Sequence, residues 1–242
     1  MDRLSSFRNG EGRAGVLLDF DGTLSPIVAK PELARIREGA REAITRLVSR
    51  YAVVAIVSGR TGDQLRELVG VEGVRLAALY GLAEEAPPLS SDVLDAVGEV
   101  ASGVAGARAE HKGGSVAVHY RAADDAEAAY DQLAARLAPI AEGAGLELLP
   151  GKMVIELVPA GRPLKEGAVE RIVEDERLDA VLYAGDDVAD IRAFEALDRL
   201  AGHGLRTVKV AVHGRETPSA LNDAADVVVD GPAGLVTLLR GL

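Results

Sequence analysis

The sequence predicts an α/β protein: a three-layer α/β/α core built on a parallel sheet, interrupted by a smaller α/β domain. Three observations lead there. Short runs rich in Val, Leu and Ile, such as "GVLLDF", "VVAIV" and "DAVLYAG", alternate with segments of helical period. Strands buried on both faces read as continuous apolar runs, so these strands belong to a parallel sheet with helices on either side. The middle of the chain has strands that alternate instead, the pattern of a sheet with one wet or ligand-facing side. Stretches rich in glycine and proline, "AEEAPPLSS" and "PAGRP", mark the crossings into and out of that section. The core is accordingly assigned to residues 1–84 and 162–242, and the inserted domain to residues 85–161.

In chain order, "GVLLDF" is the first core strand, and "PELARIREGAREAITRLVSR" reads as a helix whose buried stripe is Leu33, Ile36, Ala40, Ile44 and Leu47, with Pro31 near its start. "VVAIV", the helix "TGDQLRELV" and the strand "RLAALY" follow. In the inserted section, "SVAVHYR" places Val116, Val118 and Tyr120 on one face and Ser115, Ala117, His119 and Arg121 on the other. "KMVIELV" repeats the split: Met153, Ile155 and Leu157 face helices such as "AEAAYDQLAARLAPIAEG", while Lys152, Val154 and Glu156 point away. The core grammar then returns with strands "DAVLYAG", "RTVKVAV" and "ADVVVD", and helices "VADIRAFEALDRL" and "PAGLVTLLRG".

Composition narrows the function classes. With 27 Lys and Arg against 38 Asp and Glu, the net charge of −11 repels nucleic acid and anionic membrane surfaces. The absence of cysteine excludes thiol catalysis, disulfides and thiolate metal sites. The opening "MDRLSSFRNGEGRAG" is polar, and "YAVVAIV" falls far short of the ~18 apolar residues of a spanning helix. A cytoplasmic protein with no nucleic-acid or membrane partner is expected. His203 and His213, in the late loops "AGHGL" and "VHGRETP", read as solvated turn residues.

The chemistry concentrates at strand ends, where open parallel sheets bind ligands. "LLDFDGT" puts Asp19 and Asp21 two residues apart on one side of a strand, with Gly22 allowing a sharp turn behind them. "AGDDVAD" ends another strand with Asp186, Asp187 and Asp190. If the two strands are neighbours, up to five carboxylates converge, and a bound cation makes that tolerable. The all-oxygen donor set indicates a hard ion, magnesium (Mg2+) before calcium or zinc. An EF-hand beginning at Asp19 fails on spacing, since its sixth position is Leu24 and its twelfth is Lys30. A cation beside a free carboxylate suits phosphoryl transfer. Ser58 and Arg60 in "VSGR", near a helix start, and Lys165 in "RPLKEGAV", opening another helix, supply groups for phosphate oxygens. Singly, such a serine is a common helix cap and such a lysine a common solvated residue; their joint occurrence carries the reading.

Taken in order, "DFDGT", Ser58 in "VSGR", Lys165 and "GDDVAD" resemble the four signatures of the haloacid dehalogenase superfamily of phosphohydrolases. The resemblance implies a Rossmann-like core. It implies Asp19 as the nucleophile and Asp21 as the acid that protonates the leaving alcohol and then activates water. Thr23, Ser58 and Lys165 would hold phosphoryl oxygens, while Asp19, the Asp21 carbonyl and Asp186 bind magnesium, supported by Asp187 and Asp190. "LDFDGTLSPI", "EHKGGSVAVHYR", "PGKMVIELVP" and "YAGDDVADIRAF" further resemble the trehalose-6-phosphate phosphatase family. That likeness implies an α/β cap whose polar face, with His119, Arg121, Lys152, Glu156 and Lys112, grips the sugar. The chain departs from the family pattern in "ADIR" after the paired aspartates, in "PLKEG" around the lysine, and in "YGLAEE", which lacks a histidine.

The expected activity is hydrolysis of trehalose 6-phosphate by a monomer. Phosphatases for sucrose, mannosylglycerate or glucosylglycerate phosphates, a phosphomutase and a non-enzymatic sugar-phosphate binder are the alternatives; the last has little reason to keep both Asp19 and Asp21.

Overall fold

In a computed structural model, which describes residues 3–9, 11–81 and 87–242, the apolar runs become strands and the periodic segments become helices. The chain divides into two units, residues 1–81 with 163–242, and residues 82–162. The expected boundary at residues 84 and 85 and most of "YGLAEE" lie outside the described residues.

The first unit begins with α1 (Arg3–Asn9), β1 (Ala14–Leu18), α2 (Ala40–Val48), β2 (Val53–Val57), α3 (Gly62–Val69) and β3 (Arg75–Ala77). The second unit contains α4 (Ser91–Ser102), β4 (Arg108–His111), β5 (Val116–His119), α5 (Ala126–Gly143), β6 (Leu146–Gly151) and β7 (Val154–Pro159). The first unit resumes with α6 (Lys165–Asp175), β8 (Ala180–Gly185), α7 (Val188–Gly202), β9 (Arg206–His213), α8 (Ser219–Ala224), β10 (Val227–Asp230) and α9 (Gly231–Arg240).

The core sheet runs β10-β9-β8-β1-β2-β3, and every pairing is parallel. Alternate side chains feed two separate apolar layers. Val16, Leu18, Val54, Ile56 and Leu182 pack with α2, α3 and α9 on one face; Leu17, Ala55, Val57, Val181 and Tyr183 pack with α6, α7 and α8 on the other. This is a three-layer α/β/α core. β1 lies between β8 and β2, so the strand order reverses at its carboxyl end, the place where such sheets bind ligands.

Two expectations are corrected here. The long first helix is divided: Pro31–Leu33 forms a 3-10 turn, and α2 starts only after Gly39, whose φ of 80° is left-handed backbone. Leu33 is therefore 57% exposed rather than part of the stripe, whereas Ala40, Ile44 and Leu47 are buried as the helical period requires. "RLAALY" is strand only over Arg75–Ala77, because Leu79 and Tyr80 adopt left-handed φ values of 49° and 59° and turn the chain back. The helix at Arg3–Asn9, unsuspected in a polar leader, is held by Phe7 stacked on Tyr51 at 5.5 Å.

The second unit is a four-stranded antiparallel sheet, β4-β5-β7-β6, with α4 and α5 on one face. Val116, Val118, Tyr120, Ile155 and Leu157 pack against Val97, Leu133 and Leu137, on the face that alternation assigned to the helices. Fully burying a leucine such as Leu133 stabilises by about 1.5–3 kcal/mol. Among the described residues no helix is long and apolar enough to cross a membrane.

Candidate active site

The end of β1 meets the end of β8, where Leu18 is in register with Ala184 and the Asp19 N–H donates to the Ala184 carbonyl at 2.9 Å. The two aspartate-bearing loops are thus neighbours. Asp19, Asp186 and Asp190 are buried, and each offers a carboxylate oxygen within 4.8 Å of the others. The turn after Asp21 needs glycine for two reasons: Gly22 has a φ of 87°, and a Cβ there would overlap the Asp186 carboxylate. Gly185 is similarly closed to a side chain, because a Cβ would overlap Asp190.

Lys165, the first residue of α6, is buried, and its Nζ donates to Asp19 Oδ1 at 2.7 Å and to Asp190 Oδ1 at 2.6 Å. Asp190 Oδ1 also accepts the Tyr183 hydroxyl at 2.6 Å, and Oδ2 accepts the backbone N–H groups of Asp186 and Asp187, both at 2.9 Å. Four donors therefore occupy Asp190, which ties the lysine, β8 and the aspartate loop together. Asp187 caps α7, accepting from the Val188 N–H at 2.7 Å. Thr23 Oγ1 donates to Asp186 Oδ1 at 3.3 Å.

The electrostatics of this cluster are unbalanced. Burial, with Asp190 and Asp186 alongside, pushes the Asp19 carboxyl well above its usual range, and Lys165 offsets this only in part. Burial alone would lower the Lys165 pKa, but Asp19 and Asp190 hold it well above the usual lysine value. Burial and then Asp190 push the Tyr183 phenol well up, so it remains a hydrogen-bond donor. Three buried carboxylates against one ammonium leave a deficit of positive charge. A hard divalent cation bound by carboxylate oxygens fits it.

Ser58 and Arg60 lie between β2 and α3, but neither starts the helix. Thr61 is the N-cap, in a capping box with Gln64. Ser58 Oγ accepts the Arg60 N–H at 3.3 Å, and the left-handed residues after β3 return to bond this loop, Tyr80 N–H to the Ser58 carbonyl and Leu79 N–H to the Arg60 carbonyl. The expectation that Arg60 faces phosphate meets a different geometry. Its guanidinium forks onto Asp21, Nε to Oδ2 and Nη2 to Oδ1, each at 2.7 Å.

In the second unit the polar face carries a set of its own. Glu156, buried in β7, accepts from Lys112 Nζ at 3.2 Å and from Ser115 Oγ at 2.7 Å. His119 Nε2 lies 2.7 Å from Glu110 Oε2, and Arg121 donates to the Lys152 carbonyl at 3.1 Å. Lys152 is not in a strand: it and Met153, whose φ is 58°, form the tight turn joining Gly151 to Val154. Glu110 and Tyr183 had not been singled out from the sequence. Extending the two-residue period back through "RAEHK" puts Arg108, Glu110 and Lys112 on one face and would have found the first; Tyr183 sits in an apolar run and carries no such signal.

Comparison with known proteins extends these observations. A family model described as trehalose-phosphatase matches residues 17–227. The chain is 37% identical over 232 residues to an uncharacterized glycosyl hydrolase of Mycobacterium tuberculosis, covering 86% of this chain and 17% of that protein. It is 33% identical over 210 residues to the trehalose-phosphate phosphatase of Mycobacterium avium, covering 77% and 53% respectively. The chain therefore spans between 17% and 53% of the length of these two relatives. In fold it is similar to the C-terminal domain of the C. albicans trehalose-6-phosphate phosphatase, with a TM-score of 0.82 at 24% identity over 99% of this chain and 96% of that one. A phosphatase of the haloalkanoate (HAD) superfamily from Bacteroides thetaiotaomicron gives a TM-score of 0.64 at 18% identity over 97% and 96%. With Lys165 bridging Asp19 after β1 to Asp190 in the first turn of α7, and with the family model matched over residues 17–227, the chain belongs to the trehalose-phosphatase family.

Proposed function

We propose that the chain is a magnesium-dependent phosphatase that hydrolyses trehalose 6-phosphate to trehalose and phosphate through an aspartyl-phosphate intermediate. The observation that carries the chemistry is the buried Asp19 carboxylate held at 2.7 Å by Lys165, within reach of two further carboxylates. The family match and the likeness to the M. avium trehalose-phosphate phosphatase support the substrate.

In this reading an Asp19 oxygen attacks phosphorus as the ester P–O bond breaks, and the departing sugar oxygen takes a proton from the Asp21 carboxyl. Water then attacks the phosphorus of the aspartyl phosphate, giving its proton to Asp21, and Asp19 is restored as phosphate leaves. Lys165, Thr23 and Ser58 hold the phosphoryl oxygens. Asp19, Asp186 and the Asp21 carbonyl would hold magnesium, with Asp187 and Asp190 bracing them through the bonds described above. When bound, the ion supplies charge neutralisation for the phosphoryl group and its buried carboxylates. The polar face with Glu156, Lys112, His119, Arg121 and Lys152 recognises sugar hydroxyls, for which charged groups form directional hydrogen bonds.

Phosphate release with magnesium from a panel of trehalose, sucrose, mannosylglycerate and glucosylglycerate phosphates tests the substrate. Equal or better kcat/KM on another sugar overturns it. Asp19→Asn is expected to abolish turnover while trehalose 6-phosphate still binds; turnover at the wild-type rate removes Asp19 as nucleophile.

A further inference from the structure

We propose that Arg60 is the positioning residue of the acid–base aspartate, fixing the rotamer from which Asp21 gives and takes its proton, rather than a ligand of the phosphoryl group. The inference rests on Asp21 being the acid–base group. A planar guanidinium matches a carboxylate through two parallel N–H bonds, a geometry that sets direction as well as attraction. Here both bonds are 2.7 Å. Arg60 is itself held on several sides: its Nη2 also donates to the Pro31 carbonyl at 3.2 Å, and its guanidinium lies over the Phe20 ring at 5.4 Å. Its backbone is clamped by Leu79, through a turn that takes left-handed φ at two non-glycine residues.

Exposure shows which partner serves which. The Arg60 side chain is 9% exposed and that of Asp21 is 38% exposed. The cation is buried in the protein, and the carboxylate is the more exposed partner. Arg60 also donates to the 3-10 turn at Pro31–Leu33, so one guanidinium registers the acid–base group against the segment that follows it.

Leaving-group chemistry separates positioning from phosphate binding. p-Nitrophenolate leaves without a proton, whereas a sugar alkoxide needs one. In stopped-flow with magnesium, Arg60→Met and Arg60→Lys are expected to release one p-nitrophenolate per active site at nearly the wild-type rate and then turn over slowly, because the aspartyl phosphate accumulates without a well-aimed base. Turnover of trehalose 6-phosphate is expected to fall about 100-fold with KM changed less than about threefold, the scale of a misplaced catalytic group. Burst amplitude counts folded sites, so partial misfolding lowers the amplitude without changing the pattern. A slowed burst with KM raised for both substrates would assign Arg60 to the phosphoryl group and overturn the proposal. So would full recovery in Arg60→Lys, which restores charge without the fork. Asp21→Asn run in parallel distinguishes the two levels: if it retains trehalose 6-phosphate turnover, the acid–base reading itself has failed.

Discussion

The Tyr183 hydroxyl donates to Asp190 Oδ1 at 2.6 Å, on the same oxygen that receives Lys165. A tyrosine in the middle of an all-apolar strand thereby orients the carboxylate that orients the lysine beside Asp19. Tyr183→Phe keeps the ring and its edge contact with Phe194 and removes only that donor. Hydrogen bonds to charged groups contribute about 1.5–3 kcal/mol, so denaturant unfolding is expected to show a loss in that range. A midpoint equal to wild type would mean that Lys165 alone suffices to hold Asp190.

Divalent cation should stabilise the fold. Three buried carboxylates facing one ammonium relax when positive charge arrives, and any ligand of the native state stabilises by mass action, about 2.7 kcal/mol at a hundredfold excess over Kd. Thermal unfolding is expected to shift upward with added magnesium and return on chelation, and Asp186→Asn should remove most of the shift. An unchanged shift in Asp186→Asn would exclude it as a ligand.

Gly22→Ala should damage the site out of proportion to its size. The methyl group would enter the space of Asp186, in a backbone conformation that L-residues adopt at a cost of roughly 1–3 kcal/mol. Magnesium affinity measured by titration calorimetry is expected to drop at least tenfold. Wild-type affinity would show that Asp186 can move aside without consequence.

On the smaller sheet, Glu156→Gln preserves shape while weakening the partner of Lys112 and Ser115. The expected result is a KM for trehalose 6-phosphate raised at least tenfold, about 1.4 kcal/mol, with p-nitrophenyl phosphate turnover unchanged. Equal losses on both substrates would assign Glu156 to the fold rather than to the sugar.

Much of this molecule is legible in its sequence for a plain physical reason. β1, β2 and β8 are covered on both faces, so burial forces the continuous apolar runs that identify them, and the strand-end carboxylates are conspicuous because charge at the end of such a run is costly. The helix at residues 126–143 is long enough for its period to be unambiguous. The failures are local patterns that fit two structures. Leu33 and Ile36 match a helical stripe, yet Gly39 uses its freedom to break the segment. The strands at 108–111 and 146–151 are edge strands, where partial exposure blurs alternation. Arg60 shows the other limit. A cation close to a phosphate-type motif suggests one partner, and the carboxylate that the fold brings to it lies 39 residues away, where no local pattern could point to it.

The side-by-side pairing of β1 and β8 also has a meaning in time. Lys165 and Asp19 are 146 residues apart and Thr23 and Asp186 are 163 apart, so these contacts close only after the intervening unit has been made. Contacts between residues so distant along the chain form slowly, because the loop must be closed before any bond is gained. A nascent chain that ends before residue 180 already carries Asp19 and Asp21, but β1 lacks the neighbouring strand that bonds Asp19. Assembly of the carboxylate cluster is therefore a late event in synthesis, and the emerging polypeptide holds Asp19 without the aspartates that will face it.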